Sequence, residues 1–316
     1  METRRIGSLE VSLVGLGCNN FGRRLDADAT TAVVEAALDA GITFFDTADV
    51  YGATQSEELL GRALGKRRRE VFVATKFGNA IDDQRRGAKP AYVRSAVEES
   101  LRRLGTDHID LYQLHRPDPE TPIGDTLEAL DALVRAGKVR EIGISNASVE
   151  QLVEADAAVR AGAARFVSVQ NQYSLLERAP EQGVLAEARR RGLAFLPYFP
   201  LASGLLTGKY RRGEPPPAGT RLAQPTGGRN PTRFLNDRNL ETVERLSSFA
   251  ASRGHTVLDL AISWLAAQAP VASVLAGATS PAQVRANVAA GGWRLTADEL
   301  GAIDALAPAA SAARAA

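Results

Sequence analysis

The chain has 316 residues, 45% of them hydrophobic and 24% charged, with 38 basic residues against 37 acidic ones. That balance excludes nucleic acid or an anionic membrane as the expected partner, and the length suffices to bury a large core. A single cysteine, Cys18, excludes an internal disulfide framework and fits a reducing, cytoplasmic setting. Met1 to Leu13 has no apolar run of the signal-peptide kind, and the small-apolar stretch Pro270 to Ala278 is too short to span a bilayer.

In chain order, Arg4 to Val14 reads as a hairpin turning at Gly7-Ser8. Strand patterns follow at Leu13–Gly17, Ile42–Asp46, Val71–Lys76, Ile109–His115, Val139–Asn146, Phe166–Gln170, Leu193–Tyr198 and Ser273–Ala276. Their near-continuous apolar character is that of parallel strands buried on both faces. Between them run helix stripes at three-and-four spacing: Val33, Ala36, Ala37 and Ala40; Val93, Ala96, Val97, Leu101 and Leu104; Leu127, Leu130 and Val134. Eight such alternations predict an α/β fold, a (β/α)8 TIM barrel in one domain spanning 1–316, with the hairpin plugging its bottom; an open doubly wound sheet is the competitor. The basic run Lys66 to Arg69 falls where a helix ends and reads as a solvated terminus. Residues 199–236 form one long irregular segment, rich in Pro and Gly and carrying Arg211, Arg212, Arg221, Arg229 and Arg233. Its length predicts a substrate or cofactor loop.

Three motifs fall short of the functions they suggest. Gly15-Leu16-Gly17 has Asn20 where a dinucleotide fingerprint needs its third glycine. Gly204 to Lys209 is one residue short of a P-loop, and Tyr210 stands where a hydroxyl should bind magnesium. Gly143-Ile144-Ser145-Asn146-Ala147 lacks the last glycine of a nucleophile elbow. No metal is expected, since of the three histidines only His115 lies at a strand end, while His108 and His255 do not.

Active sites of such barrels lie where strands end. The ends in order carry Asp46, Lys76, His115, Ser145-Asn146, Gln170 and Tyr198, with Tyr51 in the loop after Asp46. Reducing a carbonyl by hydride requires a proton donor, and a phenol with pKa near 10 is a reluctant one. A nearby ammonium stabilises the phenolate, and a buried ammonium needs a carboxylate. Asp46 can hold Lys76, Lys76 can tune Tyr51, and His115 can hydrogen-bond the substrate oxygen. Lysine occurs only at 66, 76, 89, 138 and 209, so Lys76 in an apolar strand stands out against an arginine-rich background.

Gly41 to Gly52, Ala74-Thr75-Lys76, Asp110 to His115, Gly143 to Asn146, Gln170 to Tyr173 and Tyr198 to Lys209 together resemble the aldo-keto reductase family over roughly residues 3 to 306. The resemblance implies Asp46, Tyr51, Lys76 and His115 as a catalytic tetrad. It implies a nicotinamide carboxamide held by Ser145, Asn146 and Gln170, with Tyr198 stacked on the ring. Further cofactor contacts are implied at Gly17, Cys18, Asn19 and Asp46. Phe199, Pro200, Leu201, Ser203, Gly204, Leu205, Gly208 and Lys209 would wrap the pyrophosphate, and Gly277, Thr279, Gln283 and Asn287 would take the adenosine. Substrate contacts are expected from Asn20, Phe21, Tyr51, His115, Arg116 and Phe199.

Two departures bear on specificity. Two extra residues follow Tyr51-Gly52 before Ser56-Glu57, and Arg116 replaces an aromatic common after the histidine. Gly277 and Gln283 stand where cations often hold a 2′-phosphate, so NADPH is expected with NADH possible, and Thr279 or Arg285 are the candidate substitutes. The expected function is NAD(P)H-dependent reduction of an aldehyde or ketone. The alternative is a cofactor-bound regulatory subunit resembling potassium-channel β subunits. Oligomeric state is not readable from the sequence.

Overall fold

A computed structural model describes residues 1–223 and 234–309. The chain opens with an antiparallel hairpin, β1 (Thr3–Ile6) and β2 (Leu9–Ser12), turning at Gly7-Ser8. Eight parallel strands then close on themselves: β3 (Val14–Gly17), β4 (Phe44–Asp46), β5 (Phe72–Phe77), β6 (Ile109–Leu114), β7 (Val139–Ser145), β8 (Phe166–Gln172), β9 (Ala194–Tyr198) and β10 (Val274–Gly277). They pair in sequence order, and β10 returns to pair with β3. The closed barrel, not the open sheet, is therefore the architecture. Helices α1 (Ala27–Asp39), α2 (Gln55–Leu64), α3 (Pro90–Leu104), α4 (Ile123–Arg135), α5 (Val149–Ala157) and α6 (Val184–Arg191) follow successive strands. After β9 come two, α7 (Asp237–Ala251) and α8 (Val257–Ala266), and after β10 another two, α9 (Pro281–Ala289) and α10 (Ala297–Leu306). Among the described residues no helix is long and apolar enough to cross a membrane.

Two local details differ from the sequence reading. Residues 202–207, read as irregular, form a tight 3-10 helix broken by left-handed Ser203 and Gly204. The basic run is not simply solvated: Arg68 is largely buried and donates to Asp110 Oδ2 at 2.7 Å, tying that segment to β6. Residues 224–233 lie outside the described part, and with them Arg229, Arg233 and Gly227-Gly228 of the long segment.

Side chains alternate across a strand, so every second residue enters the barrel. Toward the strand starts these are apolar. Phe44, Ala74, Leu111, Ala194, Leu196 and Leu275 form one cluster with Ile6, Leu9 and Val11 of the hairpin. The hairpin thus seals that end, and Ser8 N–H donates to Glu141 Oε1 at 2.7 Å. Toward the strand ends the inward positions turn polar. Asp46 pairs in register with Ala74, so Lys76 stands one inward step above it, beside Gln113 on the next strand. Space there is tight. A Cβ on Gly143 would lie 2.4 Å from Ser168 Oγ and 3.1 Å from Gln113 Cγ, so only glycine lets the polar layer close.

The segment leaving β4 is pinned to the outer face of β5 while Lys76 enters the barrel. Thr47 N–H donates to Ala74 O at 2.9 Å and Asp49 N–H to Lys76 O at 3.1 Å. Outward-facing Thr75 donates to Glu57 Oε1 at 2.6 Å, and Arg103 Nε of α3 donates to Glu57 Oε2 at 2.7 Å. Gly52 must be glycine, since φ is 58° and a Cβ would meet Phe21 O at 2.3 Å. Within the lengthened segment, Ala53 and Thr54 make the turn into α2 with φ of 53° and 76°, a conformation that costs a non-glycine residue about 1–2 kcal/mol. Burial, with the Glu57 charge beside it, pushes the Asp49 carboxyl up to about 7.

Two outcomes follow for stability. Gly143→Ala should cost roughly 1–3 kcal/mol in urea unfolding, and an unchanged midpoint would contradict the tight polar layer. In the unfolded chain Asp49 ionises in the ordinary Asp range, while in the folded one it keeps its proton up to about 7. Stability from this group therefore falls as pH rises across that window. Asp49→Asn should remove the fall, gaining on the parent chain by up to about 4 kcal/mol between about pH 4 and 7. Parallel stability curves for the two proteins would overturn the assignment.

Candidate active site

At the floor of the barrel mouth lies Lys76, fully buried. Its Nζ donates to Asp46 Oδ2 at 2.6 Å and to Thr47 O at 2.8 Å, and sits 5.2 Å from the centroid of the Tyr51 ring. Asp46 Oδ1 in turn accepts from Gln170 Nε2 at 2.9 Å and Gln113 Nε2 at 3.1 Å. Burial works against the Lys76 charge, but the Asp46 carboxylate and the Tyr51 phenol outweigh it. The ammonium's pKa is held above its ordinary value.

His115 faces the same phenol from the next strand end, its ring 5.7 Å from that of Tyr51 and edge-on at 79°. Burial first, then the charges of Lys76 and Arg116, push its pKa well below the ordinary histidine range, so the imidazole is neutral. Its Nδ1 has no hydrogen-bond partner among the described residues. Asn146, at φ 58°, links the wall: Nδ2 donates to His115 O at 2.9 Å, and Oδ1 accepts from Tyr198 OH at 2.7 Å. Ser145 Oγ donates to Gln170 O at 2.8 Å, closing the belt. This arrangement can hold a phenol beside an ammonium and a neutral imidazole against one small polar group.

From that point a cavity of about 1030 Å3 runs across the strand ends. It is lined by Gly17, Cys18, Asn19, Asn20, Asp46, Tyr51, His115, Arg116, Ser145, Asn146, Gln170 and Tyr198. The walls continue with Phe199, Pro200, Leu201, Ser203, Gly204, Lys209, Gly277, Thr279, Gln283 and Asn287. Most residues singled out in the sequence therefore meet in one place. Lys76 lies beneath the floor. Phe21 and Leu205 do not line the cavity, both being fully buried in the hydrophobic core, and Gly208 packs toward Val257 instead. Gln283 Oε1 accepts from Thr279 N–H at 2.8 Å and Thr279 Oγ1 at 3.1 Å, so these two residues engage each other. Arg285 is exposed and off the lining.

Gln113 and Arg24 were not singled out in the sequence, and Arg221 stood there only as one of the arginines of the long segment. Gln113 is fully buried on Asp46, and its signal was an amide within an otherwise largely apolar strand. Arg24 Nη2 donates to Gly219 O at 2.6 Å and Arg221 Nη2 to Asn20 Oδ1 at 2.9 Å, clasping the loop after β3 to the segment before residue 224. Burial and the charges of Arg24 and Arg221 lower the basicity of Lys209, which places three cations around one stretch of the cavity. No sequence pattern forecasts that long-range convergence.

The model of the aldo/keto reductase family matches residues 13–308. The chain is 37% identical to the aldo-keto reductase YhdN of Bacillus subtilis over 302 residues, covering 92% of this chain and 88% of that one. It is 34% identical to a probable voltage-gated potassium channel subunit beta of Oryza sativa, over 92% and 91% of the two chains. Among solved structures, the glycerol dehydrogenase AKR11B4 of Gluconobacter oxydans superposes with a TM-score of 0.82 at 34% identity, covering 96% of this chain and 94% of that one. The barrel, its polar floor and these matches agree: the chain belongs to the aldo/keto reductase family and is an NAD(P)H-dependent oxidoreductase.

Proposed function

We propose that the protein reduces an aldehyde or ketone to the alcohol, with NADPH as the reductant and Tyr51 as the proton donor. The observation that carries the reading is a buried ammonium held between Asp46 and the Tyr51 phenol. The name of the Gluconobacter oxydans relative, a glycerol dehydrogenase, supports an alcohol–carbonyl pair as the chemistry.

The cavity suits a dinucleotide along its length. Buried Gln172 Nε2, without a partner among the described residues, belongs to a lining side chain near Ser145, Asn146 and Gln170, which would hold the carboxamide. Tyr198 would flank the ring. Arg24, Lys209 and Arg221 supply positive charge suited to the pyrophosphate that NADPH and NADH share; with no cation at 277 or 283, NADPH is the proposed reductant and NADH remains the alternative. When bound, the reduced nicotinamide supplies the hydride. Neutral His115 hydrogen-bonds the carbonyl oxygen, and Tyr51 gives that oxygen its proton. Lys76 stabilises the phenolate left behind, Asp46 keeps Lys76 in place, and solvent reprotonates Tyr51 after product leaves.

We read residues 1–316 as one domain, because both ends of the described chain are tied to the barrel: Arg178 reaches Asp304 at 2.8 Å and Arg4 Nη1 donates to Val271 O at 2.6 Å. Residues 199–236 then form the segment over cofactor and substrate. The lone, buried thiol of Cys18 accords with a cytoplasmic location.

Purified protein should oxidise NADPH steadily with benzaldehyde, and Tyr51→Phe should lower kcat roughly 10²–10⁴-fold while still binding NADPH. Equal rates for the two proteins would overturn the acid assignment. Tight NADPH binding without turnover over a broad carbonyl panel would favour the regulatory reading that the Oryza sativa relative's name brings to mind.

A further inference from the structure

The charges lining the cavity are unequal. Among the described residues Arg23, Arg24, Arg116, Lys209 and Arg221 face it, against one carboxylate, Asp46, whose oxygens are taken by Lys76, Gln113 and Gln170. Arg24, Lys209 and Arg221 cluster about the segment 204–221, Arg24 and Arg221 already engaged with Gly219 O and Asn20 Oδ1, and suit the phosphates of a dinucleotide. That leaves Arg116 and Arg23 in excess. Arg116 immediately follows His115, and its charge reaches that imidazole. It makes no hydrogen bond or ion pair with any described residue. Arg23 lines the same cavity from the loop after β3, where Phe21 and Gly22 rest on Gly52 next to Tyr51.

Exposed guanidiniums are ordinarily solvated, and by itself an exposed arginine says little. The difference here is position. The loop that carries the imidazole and the loop that packs on the phenol's loop each present a guanidinium to the cavity, with no carboxylate set against either among the described residues. A planar guanidinium fork matches a carboxylate with two parallel hydrogen bonds, and a concave wall strengthens the attraction.

We infer that the natural substrate is a carbonyl compound that also bears a carboxylate, held by Arg116 so that its carbonyl oxygen meets Tyr51 and His115, with Arg23 adding positive potential from the loop after β3. This rests on the proposed carbonyl reduction and narrows it to anionic oxo compounds. It also gives the replacement of an aromatic by Arg116 a chemical purpose: an apolar contact is exchanged for an ion pair.

The test compares 4-formylbenzoate with methyl 4-formylbenzoate, which present the same aldehyde and differ in charge. The native enzyme should prefer the acid by roughly tenfold or more in kcat/KM, the scale of one hydrogen-bonded ion pair. Arg116→Gln should bring the acid-to-ester ratio close to one, mainly through KM for the acid, and Arg116→Lys should keep part of the preference. Raising the ionic strength should erode the native ratio as well. Benzoate, which cannot be reduced, should bind the native protein in calorimetry and bind Arg116→Gln roughly tenfold more weakly. An acid-to-ester ratio near or below one in the native enzyme, or a ratio untouched by Arg116→Gln, overturns the inference and leaves carbonyl reduction standing. Reduction of neither compound overturns the functional reading itself.

Discussion

A charged ammonium in a protein interior costs several kcal/mol unless its surroundings return that energy. Lys76 is the case on which this molecule turns. It has no exposure to solvent, yet it is held protonated by the Asp46 carboxylate at 2.6 Å, the Thr47 carbonyl at 2.8 Å and the adjacent Tyr51 phenol. An ammonium so placed favours the phenolate form of its neighbour. The same positive charge also contributes to keeping His115 neutral. One buried cation therefore acts on both groups that would meet a substrate, adding to burial at His115 and standing beside the Tyr51 phenol.

The barrel is what makes that placement possible. Closure fixes the stagger between strands, and the stagger decides that Lys76 rises above Asp46 instead of beside it. The hairpin seals the apolar end, so the polar layer opens in only one direction. Asp46 must satisfy more than the lysine, and the amides of Gln113 and Gln170 take its second oxygen. Outside the barrel, the Glu57–Arg103 pair and buried Asp49 anchor the segment that carries Tyr51. Phenol and ammonium are brought together from two separately restrained pieces of backbone.

Much of this was legible in the residues. Apolar runs such as Ile109–Leu114 announced parallel strands, and polar residues at their ends announced the mouth. What a strand pattern does not encode is which side chains from distant strands share one acceptor, so Gln113 went unseen although it touches Asp46. Phe21 was misplaced for a related reason. Its neighbours Asn20 and Arg23 line the cavity, but the turn at Gly22 sends its ring into the core. The cations Arg24, Lys209 and Arg221 converge from segments nearly two hundred positions apart in the case of Arg24 and Gly219. No local periodicity forecasts such a meeting.

The central claim is that the ammonium acidifies the phenol. Tyrosinate absorbance near 295 nm, followed against pH for the native protein and for Tyr51→Phe, isolates that group by difference. Burial helps the measurement, because it pushes Tyr92, Tyr112 and Tyr173 above the ordinary tyrosine range and out of the way. The account predicts a difference transition well below the free phenol's pKa of about 10. A transition at or above that value would contradict it, because Lys76 would then lie beside Tyr51 without making it a better acid.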